Sequence, residues 1–100
     1  MRMPEVPSEG NLLMQPIRYK IVKKLREEKR PMYVDEIATG IKEDRRLVSF
    51  HLTTLEEHEF AKSEFHVIDR PQSKGKAGRF YTLTPKVESV LRELREAMEI

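Results

Sequence analysis

The chain has 100 residues and no cysteine, and its 19 basic and 17 acidic residues leave a net charge of +2. This length suits one small domain, and the lack of cysteine excludes disulfides, thiolate metal sites and a cysteine nucleophile. No apolar run is long enough for a signal peptide or a membrane span. We therefore expect a cytoplasmic protein with no membrane partner.

Charge is distributed unevenly along the chain. Residues 15–30 hold seven cations against two anions, and residues 70–79 hold four cations and no anion. Acidic residues instead gather at 56–59 and in the last predicted helix. One basic face could therefore meet an anionic partner while another face repels it.

The N-terminal residues 1–10 mix proline, glycine and charge, which predicts a flexible arm in front of one domain over 11–100. A helix should begin near Asn11, and Pro16 suits the first turn of a new or continuing helix. This amphipathic helix should end before Pro31. Its apolar positions, spaced four residues apart, are Ile17, Ile21 and Leu25.

Two further helices follow with a short turn between them. The stretch VDEIATGIK predicts the first, and Asp44 is a suitable N-cap for the second, which should run to about His58. Two helices joined in this way are the outline of a helix-turn-helix. The core stripe of the second helix is Val48, Leu52 and Leu55.

The periodicity then changes to that of strands. Residues 64–69 and 79–84 predict a β-hairpin around a basic, glycine-containing loop, and Pro85 opens a last helix over about 84–100. The fold class is mainly α with a small β-hairpin, in the order α-α-α-β-β-α, which is a winged helix-turn-helix.

The side of the third helix opposite its core stripe is the first candidate site. An arginine there can bond guanine edges or phosphates, and an aromatic ring can contact thymine methyl groups. The alternative is an ordinary solvated surface, but a phenylalanine that points away from the core argues for binding. We call these predicted DNA-binding residues the outer face: Arg45, Arg46, Ser49, Phe50 and Thr53.

The hairpin is the second candidate site. Lys74, Lys76 and Arg79 suit phosphates or the minor groove beside the helix. The alternative is a soluble turn whose lysines protect a sheet edge from aggregation. Because the hairpin directly follows a helix-turn-helix pattern, we expect it to be a DNA-binding wing that adjoins the outer face.

The terminal helices carry more apolar residues than a three-helix core needs, which predicts a homodimer with two recognition helices about one DNA turn apart. The alternative is that these residues pack within one subunit. The predicted dimer interface is Leu12, Leu13, Met14, Val87, Val90, Leu91, Leu94 and Met98.

Catalysis and metal binding are not indicated. His51 and His58 lie seven residues apart, too far for a helical i, i+4 metal site, and we expect His51 to pack beside the core stripe. No phosphate loop, nucleophile elbow or carboxylate pair is present. We therefore expect no enzymatic activity and no cofactor.

Several stretches resemble ArsR-type winged-helix regulators. LLMQPIRYKIVKKL is similar to their opening helix, VDEIATGIKEDRRLVSFHLTTLEEHEFAKSE to their helix-turn-helix, and FYTLT to the return strand of their wing. The resemblance covers residues 12–94 and implies a homodimeric regulator of double-stranded DNA. The related MarR-type architecture stays open.

The chain departs from the metal-sensing members of that family. MYVDE at 32–36 contains no cysteine and the last helix contains no histidine, which excludes thiolate metal sensing and leaves any small-molecule effector unknown. A second hypothesis is a winged-helix protein-interaction module of a transcription assembly, because a fold does not fix its function.

Overall fold

The computed structural model describes residues 8–68 and 76–98, which form helices packed on one small sheet. The predicted fold class is confirmed, with one additional short strand. The elements are α1 (Ser8–Met14), α2 (Pro16–Glu28), β1 (Met32–Tyr33), α3 (Val34–Ile41), α4 (Arg45–Glu57), β2 (Ala61–Ile68), β3 (Lys76–Leu83) and α5 (Pro85–Met98).

The N-terminal helical segment is two helices, because Pro16 begins α2 and cannot continue α1. The Gln15 side chain accepts a hydrogen bond from the Arg18 backbone N–H at 2.9 Å, which caps α2. Helix α1 already begins at Ser8, three residues before the expected start at Asn11. Residues 1–7 of the predicted arm lie outside the described residues.

The core lies between α2, α3, α4 and the sheet. All three residues of the predicted stripe on α4 are fully buried there, and Phe60 joins them from the turn after α4. The predicted packing of α2 is also confirmed, with Ile21 and Leu25 buried and Ile17 partly buried against the core. Burial of these side chains fixes which side of α4 faces solvent.

The helix-turn-helix consists of α3 and α4. Asp44 is the N-cap of α4, and its carboxylate accepts hydrogen bonds from the backbone N–H groups of Arg46 at 2.9 Å and Leu47 at 3.2 Å. Helix α3 is capped through the Glu36 carboxylate, which accepts from the Tyr33 N–H at 3.3 Å. Both helix starts are therefore fixed by local side chains.

The sheet is antiparallel with the order β1-β3-β2. Strand β1 has only two residues, both buried, which is too short for a periodic signal in the sequence. The hairpin strands are longer than predicted: β2 starts at Ala61 and β3 at Lys76. Gly78, predicted in the loop, pairs with His66 inside the ladder.

The predicted dimer residues need a correction. Leu13, Val87, Val90 and Leu94 are between 1% and 7% exposed and belong to the core of a single subunit. Their apolar surface is already used where α1, α2 and α5 meet, so these four side chains are not free for a partner. Leu12 and Leu91 are partly buried against the same core, whereas Met14 and Met98 are exposed.

Across residues 8–68 and 76–98, each helix is too short or too polar to cross a lipid bilayer.

Candidate nucleic-acid interface

The outer face of α4 is open to solvent. Phe50 is 64% exposed, Arg46 and Thr53 are exposed, and Ser49 is half-buried. An exposed phenylalanine on a helix that buries its opposite side loses hydrophobic free energy unless a partner covers it. The ring therefore marks this side of α4 as a surface for binding.

The two arginines of the outer face differ in their partners. Arg45 forms an ion pair with Asp35, which lies in the first turn of α3. Arg46 forms no ion pair with any residue that the structure describes. Arg46 is therefore the arginine of the outer face whose charge is available to a ligand, while Arg45 links the two helices of the helix-turn-helix.

The threonine hydroxyls near Phe50 are already hydrogen-bonded. Thr53 donates its hydroxyl to the Ser49 carbonyl at 3.0 Å, and Thr54 donates to the Phe50 carbonyl at 3.2 Å. Such bonds to the preceding turn satisfy the hydroxyl donor inside the helix. A ligand at the outer face therefore meets fewer free donors than the sequence suggests.

Beneath Phe50 lies a buried polar pair that joins α2 to α4. His51 is 5% exposed, as predicted, and its ring meets the Phe50 ring edge-on with centroids 5.2 Å apart. Among the described residues, neither His51 Nδ1 nor the nearby Arg18 Nε has a hydrogen-bond partner. Burial, and then the charge of Arg18, lower the pKa of His51 from its ordinary value of 6.5.

This lowered pKa predicts loss of stability in acid. The unfolded chain takes up a proton on His51 below about pH 6.5, whereas the folded chain does so only at lower pH. Stability from this group should be complete above pH 6.5 and decline as the pH falls below it. Urea unfolding at pH 7.5 and pH 5.5 should show that His51→Leu reduces the pH dependence.

His58→Gln is the matched control, because His58 is exposed at the end of α4. This variant should keep the full pH dependence of the wild-type chain. Equal pH dependence in the wild-type chain and in His51→Leu would show that His51 does not carry the effect.

The structure tests the predicted wing residues unevenly. Lys74 lies outside the described residues, and Lys76 begins β3 rather than sitting in a loop. The Arg79 guanidinium lies 3.5 Å from the Glu56 carboxylate of α4, and it covers the Phe65 ring at 4.7 Å from the centroid. Arg79 is therefore engaged within the protein, where we expected a residue directed at phosphate.

Glu56 connects the recognition helix to the hairpin. Besides its ion pair with Arg79, it accepts a hydrogen bond from the Ser63 hydroxyl at 2.6 Å. This cluster of Glu56, Ser63 and Arg79 joins α4 to both strands of the hairpin. Sequence reasoning missed it because the three residues are separated along the chain and none is unusual in its own segment.

An apolar strip on the hairpin was also not predicted. Phe65 is 64% exposed and Val67 is 67% exposed. The alternation of strand residues puts both on the face that carries the buried Ala61, so the strip continues the core surface outward. Period-two spacing in EFHVI indicates a shared face but not which face is covered.

The basic segment at 15–30 does not form part of the outer face. Its cations largely engage acidic partners, for example Lys20 with Glu43 at 3.3 Å and Arg26 with Glu88 at 2.8 Å. Several of its residues line a surface groove of about 820 Å³ between α2, the end of β3 and α5. Within the described ranges, no cluster of histidine and carboxylate side chains could hold a metal ion.

Comparison with known proteins agrees with this architecture. A family model described as the bacterial regulatory protein, arsR family, matches residues 15–63. That range includes α2, α3, α4 and the first residues of β2. A comparison with curated proteins gave no match.

Solved structures share the whole fold. The diamide-treated YodB of B. subtilis has a TM-score of 0.68 and 22% identity, over 96% of this chain and 91% of that chain. The reduced form of the transcriptional regulator YodB gives 0.65 and 23%, over 97% and 88%. A possible transcriptional regulator from Methanosarcina mazei gives 0.65 and 15%, over 92% and 75%. At these identities the likeness is one of fold.

The family match covers the helix-turn-helix itself, and the solved structures extend the likeness to the hairpin and the last helix. The chain therefore carries the helix-turn-helix of the bacterial arsR family of regulatory proteins and is a DNA-binding regulator of winged-helix architecture.

Proposed function

We propose that the chain binds double-stranded DNA sequence-specifically as a homodimeric transcriptional regulator in the cytoplasm. Helix α4 enters the major groove with its outer face, and the hairpin lies on the minor groove or the phosphates. The observation that carries this proposal is the exposed outer face, where an arginine without an ion pair stands beside a phenylalanine that is 64% exposed. The family match supports DNA as the ligand.

The first half of α4 suits the groove better than the second half. Arg46 and Phe50 lie within its first two turns, whereas Glu56 and Glu57 lie in its last turn. Carboxylates near the C-terminal end would repel the phosphate backbone. We infer that the helix enters the groove by its N-terminal turns, as helix-turn-helix proteins do.

A homodimer would place two such helices on one face of the duplex. Apolar residues left for its interface by the subunit core are Met14 and Met98, together with the half-buried Leu12 and Leu91. They lie on α1 and α5, outside the helix-turn-helix. A two-fold pairing through these helices would leave both outer faces free and would require an inverted repeat in the DNA.

Selection of duplexes from a random pool tests this function directly. The chain should enrich an inverted repeat with half-site centres about 10 base pairs apart. Affinity for the recovered duplex should fall steeply with salt, with a log–log slope set by the number of phosphates contacted.

The negative outcome of the selection has a clear form. If no sequence is enriched and binding to random duplex is weak with a shallow salt slope, the chain is not a sequence-specific regulator. That result would favour the protein-interaction module, for which the exposed Phe65 and Val67 offer an apolar surface.

A further inference from the structure

The outer face of α4 is more apolar in the structure than its residue types suggest. Phe50 is 64% exposed, and Leu47, one turn before it on the same side, is 38% exposed. Of the two arginines, Arg45 is paired with Asp35. The centre of this surface is therefore a hydrocarbon patch with one unpaired cation, Arg46, at its N-terminal end.

The threonine next to this patch contributes a methyl group rather than a donor. Because the Thr53 hydroxyl donates to the Ser49 carbonyl at 3.0 Å, its hydrogen is unavailable to a base unless that bond breaks. Thr54 is satisfied in the same way through the Phe50 carbonyl. A base edge that needs a hydrogen-bond donor would thus find a poor match at these positions.

The Phe50 ring is also held in place. It meets the His51 ring edge-on at 5.2 Å, and His51 itself is buried against α2. A ring held by a buried neighbour loses less side-chain entropy on binding than a free one. Phe50 is therefore built to contact a defined point of a ligand.

The 5-methyl group of thymine is the apolar group that standard base pairs present in the major groove. We propose that Phe50 reads thymine methyl groups, with the Thr53 methyl beside it, so that each half-site requires thymine at the position facing Phe50. This inference rests on the proposed function and names the specificity-determining residue of that site.

Uracil substitution tests the proposal, because deoxyuridine differs from thymidine only by the missing methyl. Each thymine of the selected duplex is replaced in turn, and the dissociation constant is measured for the wild-type chain and for Phe50→Ala. Loss of one buried methyl contact should weaken wild-type binding about fourfold at one or two positions per half-site, and about fifteenfold when both half-sites are changed. Phe50→Ala should show no further loss at those positions.

Phe65→Ala is the matched control, since Phe65 is also 64% exposed but lies on the hairpin rather than on α4. It should keep the full response to uracil. If Phe50→Ala binds too weakly to titrate, Phe50→Leu serves instead, and its smaller side chain should give a reduced but measurable response.

The outcomes separate this inference from the function on which it rests. Failure of the wild-type chain to bind any selected duplex would overturn both. Tight, specific binding that is indifferent to uracil at every position would overturn the methyl readout alone. An equal response to uracil in the wild-type chain and in the Phe50 variants would also overturn it, because some other residue would then contact the methyl.

Discussion

Arg46→Ala should weaken binding to the selected duplex about 5- to 150-fold, which corresponds to about 1–3 kcal/mol for one lost base contact. The guanidinium is exposed in the first turn of α4 and has no ion pair with a described residue. Its loss should therefore leave the fold intact, because the Asp44 cap holds the Arg46 backbone N–H without help from the side chain.

The pattern of the loss identifies what Arg46 touches. If it reads a base, preference should relax at one position of each half-site; if it contacts phosphate, all duplexes should weaken alike and the salt slope should fall by about one. Fluorescence anisotropy on the selected duplex and on single-base variants distinguishes the two. Arg92→Ala, an exposed arginine on α5, is the matched control and should bind normally. Wild-type affinity in Arg46→Ala would refute our placement of the interface on the outer face.

Phe60→Ala should have the largest effect on stability, a loss of about 3–5 kcal/mol. The ring is fully buried between the end of α4 and the start of β2, and the Lys86 ammonium lies 4.8 Å from its centroid. The Phe60 backbone donates to the Leu55 carbonyl and accepts from the Thr84 N–H, both at 2.9 Å. With its neighbours held by these bonds, the cavity should collapse only partly.

Urea unfolding of both phenylalanine variants measures the difference. A small domain has about 5–15 kcal/mol of stability in total, so Phe60→Ala should unfold at a much lower urea concentration than the wild-type chain. Phe65→Ala, which truncates an exposed ring, should change stability by no more than about 0.5 kcal/mol. Similar midpoints for the two variants would mean that the site of Phe60 is not tightly packed.

Local signals explain most of what the sequence predicted correctly. The apolar spacing of α4 and the carboxylate of Asp44 lie within one segment, and both appear in the structure as expected. Solvent exposure of Phe50 follows from the same helical geometry, because a stripe buried on one side leaves the opposite side open.

Contacts between distant segments explain what the sequence did not show. Arg79 meets Glu56 across 23 residues, and neither position suggests the other. Strand β1 depends on pairing with β3 rather than on any pattern of its own two residues. The four interface residues that proved to be core depend on how α1 and α5 pack against α2, which helical periodicity alone does not determine.

The cluster of Glu56, Ser63 and Arg79 bears on the kinetics of association. Because these bonds exist in the free protein, the stem of the hairpin is oriented during folding and need not be ordered when a duplex arrives. Helix and stem should then dock as one rigid body, with little backbone rearrangement between the free and bound chains. Encounters with a duplex should therefore be limited by diffusion and charge steering, without a slow adjustment of the protein.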